Sequence, residues 1–552
     1  MFNAVVSSTA ATEYRSRGLW GDASLHDYWL SAVRSSPMKE AVVDSRGTRW
    51  TYAQVEDRAA RLAGFMRTRD ICAGDVVTVQ LPNWAEFLAA YIACLKLGAV
   101  INPALHQHRK SEMSHMIDMC GSAGLVMATQ FRSMDYRDLA TQLIDAHPGL
   151  CSVVMVENQG ITADGLPSFA EAVLHDPLPE DRWSPGSGVD IAAILFTSGS
   201  EARAKGVMLS HDNVAASERS FAYDLNIGFA DRMFMPGPVG HATGFLHGVT
   251  MPFMTGATSV LLDKFNGRAA RDMIEAEQCT CGMGTTTVIR ELFDACGAGD
   301  PCLAALRFLC CGGASVPRSL LERALGLGVR LYSIYGATES APHSLTRPGD
   351  SDERVVSTDG RAVTGTQIKV VDRVTRESLP VGEEGEEASR GPAVFLGYLG
   401  EPELTAKVLD SDGWYYSGDL GVLDEDGYLR ITGRAKDVIL RGGENISARE
   451  VEDVLCEHPG VDEAAVVAMW SERLGESACA FVVQPCGVPV LRVEDMCAFF
   501  AARGVALSKA PERIEIVDAL PLTPSGKICK VELRARIAAL QAAELCQVTP
   551  DD

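Results

Sequence analysis

Residues 413–452 read GWYYSGDLGVLDEDGYLRITGRAKDVILRGGENISAREVE, and the character of the chain changes within this stretch. Up to Gly433 the sequence is glycine-rich and strand-like. The residues that follow comprise the helical pattern AREVEDVLCEHP, the strand-like runs AAVVAM and ACAFVVQP, a second helical segment near 492–503 and the polar segment LPLTPSGKICKVELRARI. About 120 residues of this kind are enough for a separate small α+β domain. We therefore predict a large N-terminal domain over residues 1–432 and a small C-terminal domain over residues 433–552.

The region upstream of that boundary alternates between helical and strand-like patterns. Examples are the helical pattern YAQVEDRAARLAGFMRT and the short apolar runs VVTVQL, GLVMA, CSVVMV and AAILFT. Such alternation is typical of parallel sheets that are covered by helices. From about residue 360 onward, segments such as TQIKVVD and GEEGEEASRGPAV are β-like instead. The predicted fold is thus a large α/β domain, with parallel or mixed sheets and a β-rich subdomain, followed by the small α+β domain.

The composition argues against several classes of function. Of the 552 residues, 47% are apolar and 22% are charged, which is the balance of a folded globular protein. The formal net charge of −23 disfavours general binding to nucleic acids or anionic membranes, because those partners require basic surfaces. The most apolar stretch, FLAAYIACL at residues 87–95, is about half as long as a membrane-spanning helix and predicts a core helix. No secretory signal is evident, and we expect a cytoplasmic protein without a membrane span.

The 16 cysteines are spread along the chain, and their spacing indicates no disulfide framework. Cys279 and Cys281 are separated by one residue, as are His106 and His108. Neither pair has a second pair at the spacing of a zinc site. We therefore expect no structural metal.

A candidate phosphate-binding loop lies at residues 195–207, which read LFTSGSEARAKGV. Small and hydroxyl residues allow backbone N–H groups to approach phosphate oxygens closely, and Lys205 adds a mobile positive charge. The stretch fails the P-loop pattern, because Val207 follows Gly206 where that pattern requires a lysine. From these residues alone, a polar surface turn and a phosphate-binding loop are equally compatible with the sequence.

Three further motifs follow this loop along the chain: YGATES at 335–340, the stretch at 413–452 and PLTPSGKI at 521–528. Together with residues 195–207 they resemble the adenylate-forming superfamily, which includes acyl-CoA synthetases, aryl-acid ligases, luciferases and stand-alone adenylation domains. The resemblance extends over nearly the whole chain. It is greatest to bacterial carboxylate-CoA ligases for short, medium-length or alicyclic acids.

The resemblance implies that the chain binds ATP. The implied ATP-binding residues are Thr197, Ser198, Gly199, Ser200, Lys205, Gly312, Gly313, Ala314, Tyr335, Gly336, Asp419 and Arg434. In the family, the loop holds the β- and γ-phosphates, the glycine turn and the tyrosine hold adenine, and the last two residues hold the ribose hydroxyls. The loop departs from the family pattern T-S-G-[ST]-T-G-x-P-K-G-V, because Glu201, Ala202 and Ala204 replace threonine, glycine and proline.

The implied catalytic residues are Lys527, Glu339, Thr338 and His241. Glu339 would hold Mg²⁺, for which one or two carboxylates suffice, and Thr338 would hold phosphate oxygens. Lys527 would neutralise charge while the substrate carboxylate attacks the α-phosphate. His241, in PVGHATGF, would lie near the acyl pocket and the path of the thiol. Lys436 matches the hinge about which the small, mobile domain of the family swings between half-reactions.

The implied reaction has two half-reactions. A carboxylate and MgATP give an acyl-adenylate and pyrophosphate, and a thiol then displaces AMP to give a thioester. The implied cofactors are ATP, Mg²⁺ and coenzyme A, and the implied partner is a small carboxylic acid. PVGHATGF lacks the aspartate with which amino-acid-activating relatives pair the substrate ammonium. The candidate pocket walls are mostly small or apolar, which suits an uncharged acyl or alicyclic chain.

Two alternatives stay open at the level of sequence. An enzyme that loads the phosphopantetheine of an acyl carrier protein, or uses another acceptor, would share every motif, although RGGENIS resembles the CoA ligases more closely. A non-catalytic nucleotide- or acyl-binding protein is the alternative of another class. The retention of Lys527, Glu339, Asp419 and Arg434 disfavours it.

Overall fold

The computed structural model describes residues 8–158, 160–197, 204–313, 316–441, 444–523 and 527–548. The chain folds into two compact units. The first comprises Met1–Gly313, Leu321–Ile368 and Ser389–Tyr415, and the second comprises Ala314–Leu320, Lys369–Ala388 and Tyr416–Asp552. The second unit therefore includes β-rich sequence in addition to the C-terminal α+β segment. A domain boundary between residues 432 and 433 stays a prediction.

Two large sheets organise the first unit among the described residues. The nine-stranded sheet has the strand order Arg361–Ala362, Ala341–Leu345, Leu331–Ala337, Phe308–Gly312, Cys281–Gly284, Arg232–Met235, Thr258–Leu261, Glu40–Asp44 and Arg49–Thr51. The six-stranded sheet has the order Lys205–Ser210, Ile191–Thr197, Val100–Pro103, Val76–Gln80, Gly124–Ala128 and Ser152–Val156. The inner strands of both sheets are parallel, and antiparallel strands occur at the edges. These mixed, mainly parallel sheets confirm the predicted α/β class.

Helices alternate with these strands along the chain. The α-helices that precede residue 409 are Ser8–Ser16, Leu25–Ser35, Tyr52–Arg67, Ala85–Leu97, Lys110–Cys120, Arg137–Ala146, Phe169–Ala172, His211–Asp224, Met251–Thr255, Gly267–Glu277, Thr286–Ala295, Pro301–Ala304, Arg318–Gly326, Asp352–Ser357 and Pro402–Val408. A π-helix spans Gly244–Thr250, and a 3₁₀-helix spans Glu180–Arg182. A small hairpin pairs Gln130–Phe131 with Met134–Asp135.

The apolar stretch that predicts a core helix does lie in the core. Helix Ala85–Leu97 is buried along nearly its whole length and ends at Gly98, which has a left-handed φ of +68°. Its one lysine, Lys96, is buried, and the Nζ atom lies 2.5 Å from a carboxylate oxygen of Glu56 and 3.7 Å from the ring centre of Trp183. An ion pair and an aromatic face thus accommodate the charge inside the protein. None of the helices in the described ranges is long and apolar enough to cross a membrane.

The second unit contains the remaining sheets and helices. A four-stranded sheet has the order Gln367–Val371, Gly385–Arg390, Tyr415–Leu423 and Leu429–Arg434. A five-stranded sheet among the described residues contains Glu444–Ser447, Val438–Arg441, Gly475–Val483, Glu463–Ser471 and Arg513–Ile516. The α-helices are Ala448–Leu455, Val493–Ala502 and Lys530–Val548, and short 3₁₀-helices span Ala435–Asp437 and Leu507–Lys509. The helices and strands predicted for the C-terminal segment are confirmed.

The strand Glu463–Ser471 is buried on both faces, because successive side chains of a strand point in opposite directions. Val466 belongs to a core cluster that includes Val451 of the helix Ala448–Leu455. Its neighbour Val467 belongs to a second cluster, which includes residues of the helix Lys530–Val548. A strand that is covered on both faces reads as an unbroken apolar run, which explains the pattern AAVVAM.

Candidate functional site

The structure places the two ends of the predicted phosphate loop side by side. Strands Ile191–Thr197 and Lys205–Ser210 are antiparallel, and Thr197 lies opposite Lys205. The two described ends of the predicted loop are therefore adjacent in space. The predicted residues Ser198, Gly199, Ser200, Glu201 and Ala202, and Ala314 of the glycine turn, lie outside the described residues.

An additional segment runs alongside the strand that begins with Lys205. The amide of Leu396 donates to the carbonyl of Met208 at 2.9 Å, and the amide of Leu399 donates to the carbonyl of Gly206 at 2.8 Å. This pairing brings Tyr398 against the predicted phosphate-binding lysine. The Nζ atom of Lys205 lies 5.3 Å from the centre of the Tyr398 ring, which is within the range of a cation–π contact.

Tyr398 also contacts the predicted magnesium ligand. Its hydroxyl donates to Oε1 of Glu339 at 2.8 Å, and the amide of the nearby Phe395 donates to the Glu339 carbonyl oxygen at 2.7 Å. Glu339 is buried, so the Tyr398 hydroxyl fixes the orientation of its carboxylate, while the Phe395 amide holds its backbone. Tyr398 thus contacts both Lys205 and Glu339, and the structure brings together two residues that lie in separate motifs.

The turn that carries Thr338 and Glu339 has an unusual backbone. It connects the antiparallel strands Leu331–Ala337 and Ala341–Leu345, and Ala341 at its end has a φ of +54°. A residue other than glycine in this left-handed region is strained, and such strain is concentrated at functional sites. Thr338 is partly exposed beside the buried Glu339. The turn therefore presents a hydroxyl and a carboxylate from neighbouring positions.

Glycine is required sterically at the predicted adenine turn. A Cβ atom on Gly312 would lie 2.7 Å from the carbonyl oxygen of Ile334 in the adjacent parallel strand, and Gly313 has a φ of +84°. The packing of the two strands is sufficient to require glycine at position 312, independently of any bound adenine. The turn is also compatible with the close approach of a flat ligand, because Gly313 is exposed.

The second predicted adenine contact, Tyr335, precedes another sterically required glycine. A Cβ atom on Gly336 would lie 2.2 Å from the carbonyl oxygen of Ala341. The Tyr335 ring is partly exposed and meets the ring of His343 edge-on, with 4.8 Å between the ring centres. This contact fixes the plane of the Tyr335 ring.

His241 lies in a loop that is held by a side chain distant in sequence. The buried amide group of Asn83 donates from Nδ2 to the carbonyl oxygens of Gly237 at 2.9 Å and Met235 at 3.2 Å. Its Oδ1 atom accepts from the amide of Val239 at 2.9 Å. One side chain therefore satisfies several backbone groups of the segment that leads to His241, and it fixes the path of that segment.

The His241 ring itself is oriented by the local backbone. Its Nδ1 atom accepts a hydrogen bond from the amide of Thr243 at 3.3 Å. A nitrogen that accepts an N–H bond carries no proton, so Nε2 is the ring nitrogen that can donate in this arrangement. The π-helix Gly244–Thr250 follows directly, and π-helical segments occur frequently at functional sites.

Asn83 and Tyr398 are the two residues near the predicted site that the sequence analysis missed. Neither lies in a quoted motif with a chemical signature, since an asparagine after a proline and a tyrosine after a glycine are typical of ordinary turns. Their roles follow from contacts with residues that are remote along the chain. Sequence spacing carries no signal for such contacts in a single chain.

We predict that Asn83→Ala lowers the free energy of unfolding by about 2–4 kcal/mol, because several buried backbone groups lose their partner. The displaced loop is also expected to raise the KM for the carboxylic acid. Thermal unfolding and steady-state kinetics measure the two effects. Asn213→Ala is the matched control, since buried Asn213 donates to the carbonyls of Pro392 and Val394 instead. An equal rise of the acid KM in both variants would contradict the role assigned to Asn83.

We predict that Tyr398→Phe raises the concentration of Mg²⁺ needed for half-maximal adenylation by about tenfold, because Glu339 loses the hydroxyl that orients it. The ring that faces Lys205 is retained in this variant. Adenylation at a series of free Mg²⁺ concentrations tests the prediction. Tyr415→Phe is the matched control, since Tyr415 packs on the same Phe395 ring, with 5.8 Å between ring centres. An unchanged Mg²⁺ dependence in Tyr398→Phe would show that the hydroxyl does not position Glu339.

In the second unit, the two predicted ribose ligands are paired with each other. Asp419 and Arg434 lie opposite one another on antiparallel strands, and Nε of Arg434 is 2.9 Å from Oδ1 of Asp419. Asp419 is buried, whereas the arginine side chain is half exposed. Next to them, Gly418 donates its amide to Glu386 at 3.0 Å, and burial raises the pKa of that carboxyl group. The pair presents a fixed carboxylate beside a guanidinium group.

The predicted hinge, Lys436, is exposed within the 3₁₀-helix Ala435–Asp437. The next residue, Asp437, forms an ion pair with Arg534 and lies 4.0 Å from Nζ of Lys530. Both basic residues belong to the first turns of the last helix. The segment around the predicted hinge is thus connected to the helix that follows Lys527.

Two hydrogen bonds connect the described residues Thr523 and Lys527. The amide of Lys527 donates to Oγ1 of Thr523 at 3.1 Å, and the amide of Thr523 donates to the Lys527 carbonyl at 2.6 Å. Leu522 and Ile528 form an antiparallel bridge, and the helix Lys530–Val548 begins two residues later. These contacts hold the backbone at the predicted catalytic lysine against the segment that precedes residue 524.

One small cavity among the described residues lies outside the predicted substrate-pocket walls. It has a volume of about 130 Å³ and is lined in part by Asn83, His106, Arg132 and Asp263. Burial, together with the nearby arginines Arg132 and Arg109, lowers the pKa of His106 to about 4. This volume is far below the roughly 300 Å³ of a small ligand pocket, so neither ATP nor an acyl chain fits there.

The family profile of AMP-binding enzymes matches residues 30–399, and the profile of the AMP-binding enzyme C-terminal domain matches residues 450–527. The chain is 46% identical over 534 residues to a medium-chain fatty-acid–CoA ligase from Escherichia coli, covering 97% of this chain and 94% of the relative. It is 33% identical to a salicylyl-CoA synthase / salicylate adenylyltransferase from a Streptomyces species, over 95% of this chain and 96% of that protein.

A crystal structure of ATP-bound MatB from Rhodopseudomonas palustris resembles this structure with a TM-score of 0.85 and 26% identity. The match covers 94% of this chain and 100% of that one. The likeness of both sequence and fold thus extends over nearly the whole length of the protein.

Proposed function

This chain belongs to the AMP-binding enzyme family, and we propose that within this family it acts on fatty acids of medium length. It is an AMP-forming acid–thiol ligase: it activates a carboxylic acid with ATP to an acyl-adenylate and then transfers the acyl group to a thiol, giving a thioester, AMP and pyrophosphate. The observation that carries the choice of acid is the 46% identity to the medium-chain fatty-acid–CoA ligase over 97% of the chain. That relative also supports CoA as the thiol.

The first proposed role concerns the phosphates. Lys205 neutralises phosphate charge, and the ring of Tyr398 limits the directions that its ammonium group can take. Glu339 fits Mg²⁺, because it is an anionic oxygen donor whose orientation is fixed by a hydroxyl. Bound Mg²⁺ would neutralise negative charge that develops on the phosphates. Thr338, beside this carboxylate, donates its hydroxyl to phosphate oxygens.

Further roles are assigned to the nucleoside and to the reacting carboxylate. Asp419 accepts hydrogen bonds from the ribose hydroxyls, and Arg434 holds the aspartate in the orientation that this requires. Tyr335 stacks on adenine beside the glycine turn. Lys527 places its ammonium group between the attacking carboxylate and the α-phosphate, where positive charge lowers the barrier of the displacement. His241 donates from Nε2 near the acyl carbonyl.

Lys436 is proposed as the hinge between the two half-reactions. We predict that Lys436→Pro blocks one half-reaction selectively, because proline fixes φ where two backbone conformations are required. Adenylation is measured by pyrophosphate exchange, and thioester formation is measured from supplied acyl-adenylate. Lys436→Ala is the control and is expected to retain both steps. A proline variant with both half-reactions intact would remove Lys436 from this role.

The substrate proposal is tested with a series of straight-chain fatty acids from acetate to palmitate, together with salicylate and benzoate. Each acid is incubated with ATP, Mg²⁺ and CoA, and the acyl-CoA product is measured by mass spectrometry. The highest kcat/KM is expected for acids in the middle of the fatty-acid series. A maximum for an aromatic acid, or for either end of the series, would overturn the proposed substrate class and leave the ligase assignment intact.

The acceptor is tested with the acid that reacts best. CoA is expected to release AMP rapidly, whereas an acyl carrier protein that bears phosphopantetheine is expected to react far more slowly. The reverse order would assign the chain to the carrier-loading enzymes. The proposed use of ATP and CoA is also consistent with the cytoplasmic location that we expect.

A further inference from the structure

The sequence CGAGDPC at residues 296–302 brings two thiols into contact. Cys296 follows the helix Thr286–Ala295, and Cys302 lies in the short helix Pro301–Ala304. Their Sγ atoms are 3.2 Å apart. Cys302 is buried, with 1% of its surface exposed, whereas Cys296 is partly exposed. One thiol of the pair is thus accessible to small molecules and the other is not.

A tight turn accounts for this approach. The amide of Asp300 donates to the carbonyl of Gly297 at 3.1 Å, and Gly299 has a φ of +76°, as the third residue of a type II turn requires. Asp300 then accepts from the amide of Cys302 at 3.0 Å and caps the next helix, which has Pro301 at its first position. The residues between the cysteines therefore favour a local chain reversal that places the thiols together.

The two thiols and the carboxylate of Asp300 form a cluster of three potential metal ligands within 4.8 Å of one another. Two observations argue against a metal site. Both carboxylate oxygens of Asp300 already accept hydrogen bonds, one from Nε of Arg271 at 2.8 Å and one from the amide of Cys302. Two sulfur ligands of a tetrahedral zinc ion would be about 3.8 Å apart, which exceeds the observed separation.

We propose that Cys296 and Cys302 form a reversible disulfide by exchange with a small-molecule disulfide such as glutathione disulfide. The thiolate of Cys296 attacks one sulfur of glutathione disulfide and displaces one glutathione thiolate, which leaves a mixed disulfide on the protein. Cys302 then loses its proton and attacks the Cys296 sulfur, and the second glutathione thiolate leaves. Two protein thiols become one disulfide, while one glutathione disulfide becomes two glutathione molecules.

The surroundings decide which thiol attacks first. Burial raises the pKa of both thiols, and the negative charge of Asp300 acts in the same direction at each. A hydrogen bond with Cys302, and after it Arg271 and Arg323, oppose the increase at Cys296. Cys296 is also the partly exposed thiol of the pair, whereas Cys302 is buried. Cys296 is therefore the attacking thiol, and Cys302 is the resolving thiol. Because the thiolate is the reactive form, the rate of exchange is expected to rise with pH between 7 and about 9.

The test uses the full chain, reduced, freed of reductant and then incubated with glutathione disulfide. Remaining thiols are alkylated, and the protein is digested without reduction. Trypsin yields a peptide of residues 291–307 that contains both cysteines, and we expect this peptide to lack alkyl groups and to have lost two hydrogens. Cleavage before Asp300 should leave its two halves joined. Treatment with dithiothreitol should restore the reduced peptide.

Single variants separate the two thiols. Cys302→Ser is expected to accumulate glutathione on Cys296. In Cys296→Ser, oxidation of Cys302 should be at least tenfold slower than oxidation of the native pair. Cys151→Ser is the matched control, because Cys151 is exposed, and it should leave the internal disulfide unchanged. The proposal is overturned if native protein retains glutathione on Cys296 without an internal bond. It is also overturned if the reduced protein binds Zn²⁺ that both single variants lose.

Discussion

Lys527→Ala is expected to slow acyl-adenylate formation by at least about 10²–10³-fold, since it removes a positive charge that is proposed to act in the transition state. Formation of the thioester from supplied acyl-adenylate should be nearly unchanged. The two half-reactions are measured separately, the first by pyrophosphate exchange and the second by release of AMP from acyl-adenylate and CoA. The difference between the two steps is the diagnostic result.

Two controls distinguish a catalytic loss from a structural one. Lys509→Ala removes another lysine of the second unit, which pairs with Glu450, and it should leave both steps intact. Thermal unfolding of Lys527→Ala should be unchanged, because the hydrogen bonds of Lys527 with Thr523 use only backbone groups of Lys527. Equal losses in both half-reactions would refute the assignment of Lys527 to the first step.

Glu339→Gln is expected to reduce adenylation by about 10²-fold, because a neutral amide holds a divalent cation far less well than a carboxylate does. The concentration of Mg²⁺ required for half-maximal activity should rise in the same variant. The amide retains an oxygen that can accept from Tyr398, so the packing of this region should be preserved. Adenylation at increasing free Mg²⁺, with ATP held fixed, measures the effect.

Glu353→Gln is the matched control, since Glu353 is exposed in the helix Asp352–Ser357 of the same unit. It should leave the Mg²⁺ dependence unchanged. A Glu339→Gln variant with native Mg²⁺ dependence would remove Glu339 from the proposed metal site. Tyr398→Phe and Glu339→Gln form a graded pair. Loss of the positioning hydroxyl should impair Mg²⁺-dependent adenylation less than loss of the carboxylate charge does.

Much of the fold could be predicted from the sequence because its cause is local. The helix Ala85–Leu97 follows from an apolar run of the right length, and the strand Glu463–Ser471 follows from an unbroken apolar pattern. The spacing of apolar residues within a helix or strand indicates which of its faces are buried, and this spacing can be read from the segment alone. The family, and with it the reaction class, followed from motifs whose residues are contiguous along the chain.

Close backbone packing explains why two of the predicted ATP-binding residues are glycines. The sequence predicts Gly312 as part of the adenine turn and Gly336 as an ATP-binding residue, yet each also lies where a Cβ atom would collide with a neighbouring carbonyl oxygen. A motif can therefore contain a residue for packing and for ligand binding at once. The sequence predicts the glycine, but only the neighbouring strand shows why a larger residue is excluded.

The sequence by itself determined the class of fold and the order of the motifs, and it predicted site residues such as Lys205, Glu339 and Lys527. Only the tertiary structure decided which side chains support them. The Tyr398 hydroxyl reaches Glu339 across 59 positions of the chain, and Asn83 reaches the amide of Val239 across 156 positions. Such pairs have no periodicity or spacing that a single sequence can reveal, because the packing of whole strands and loops brings them together.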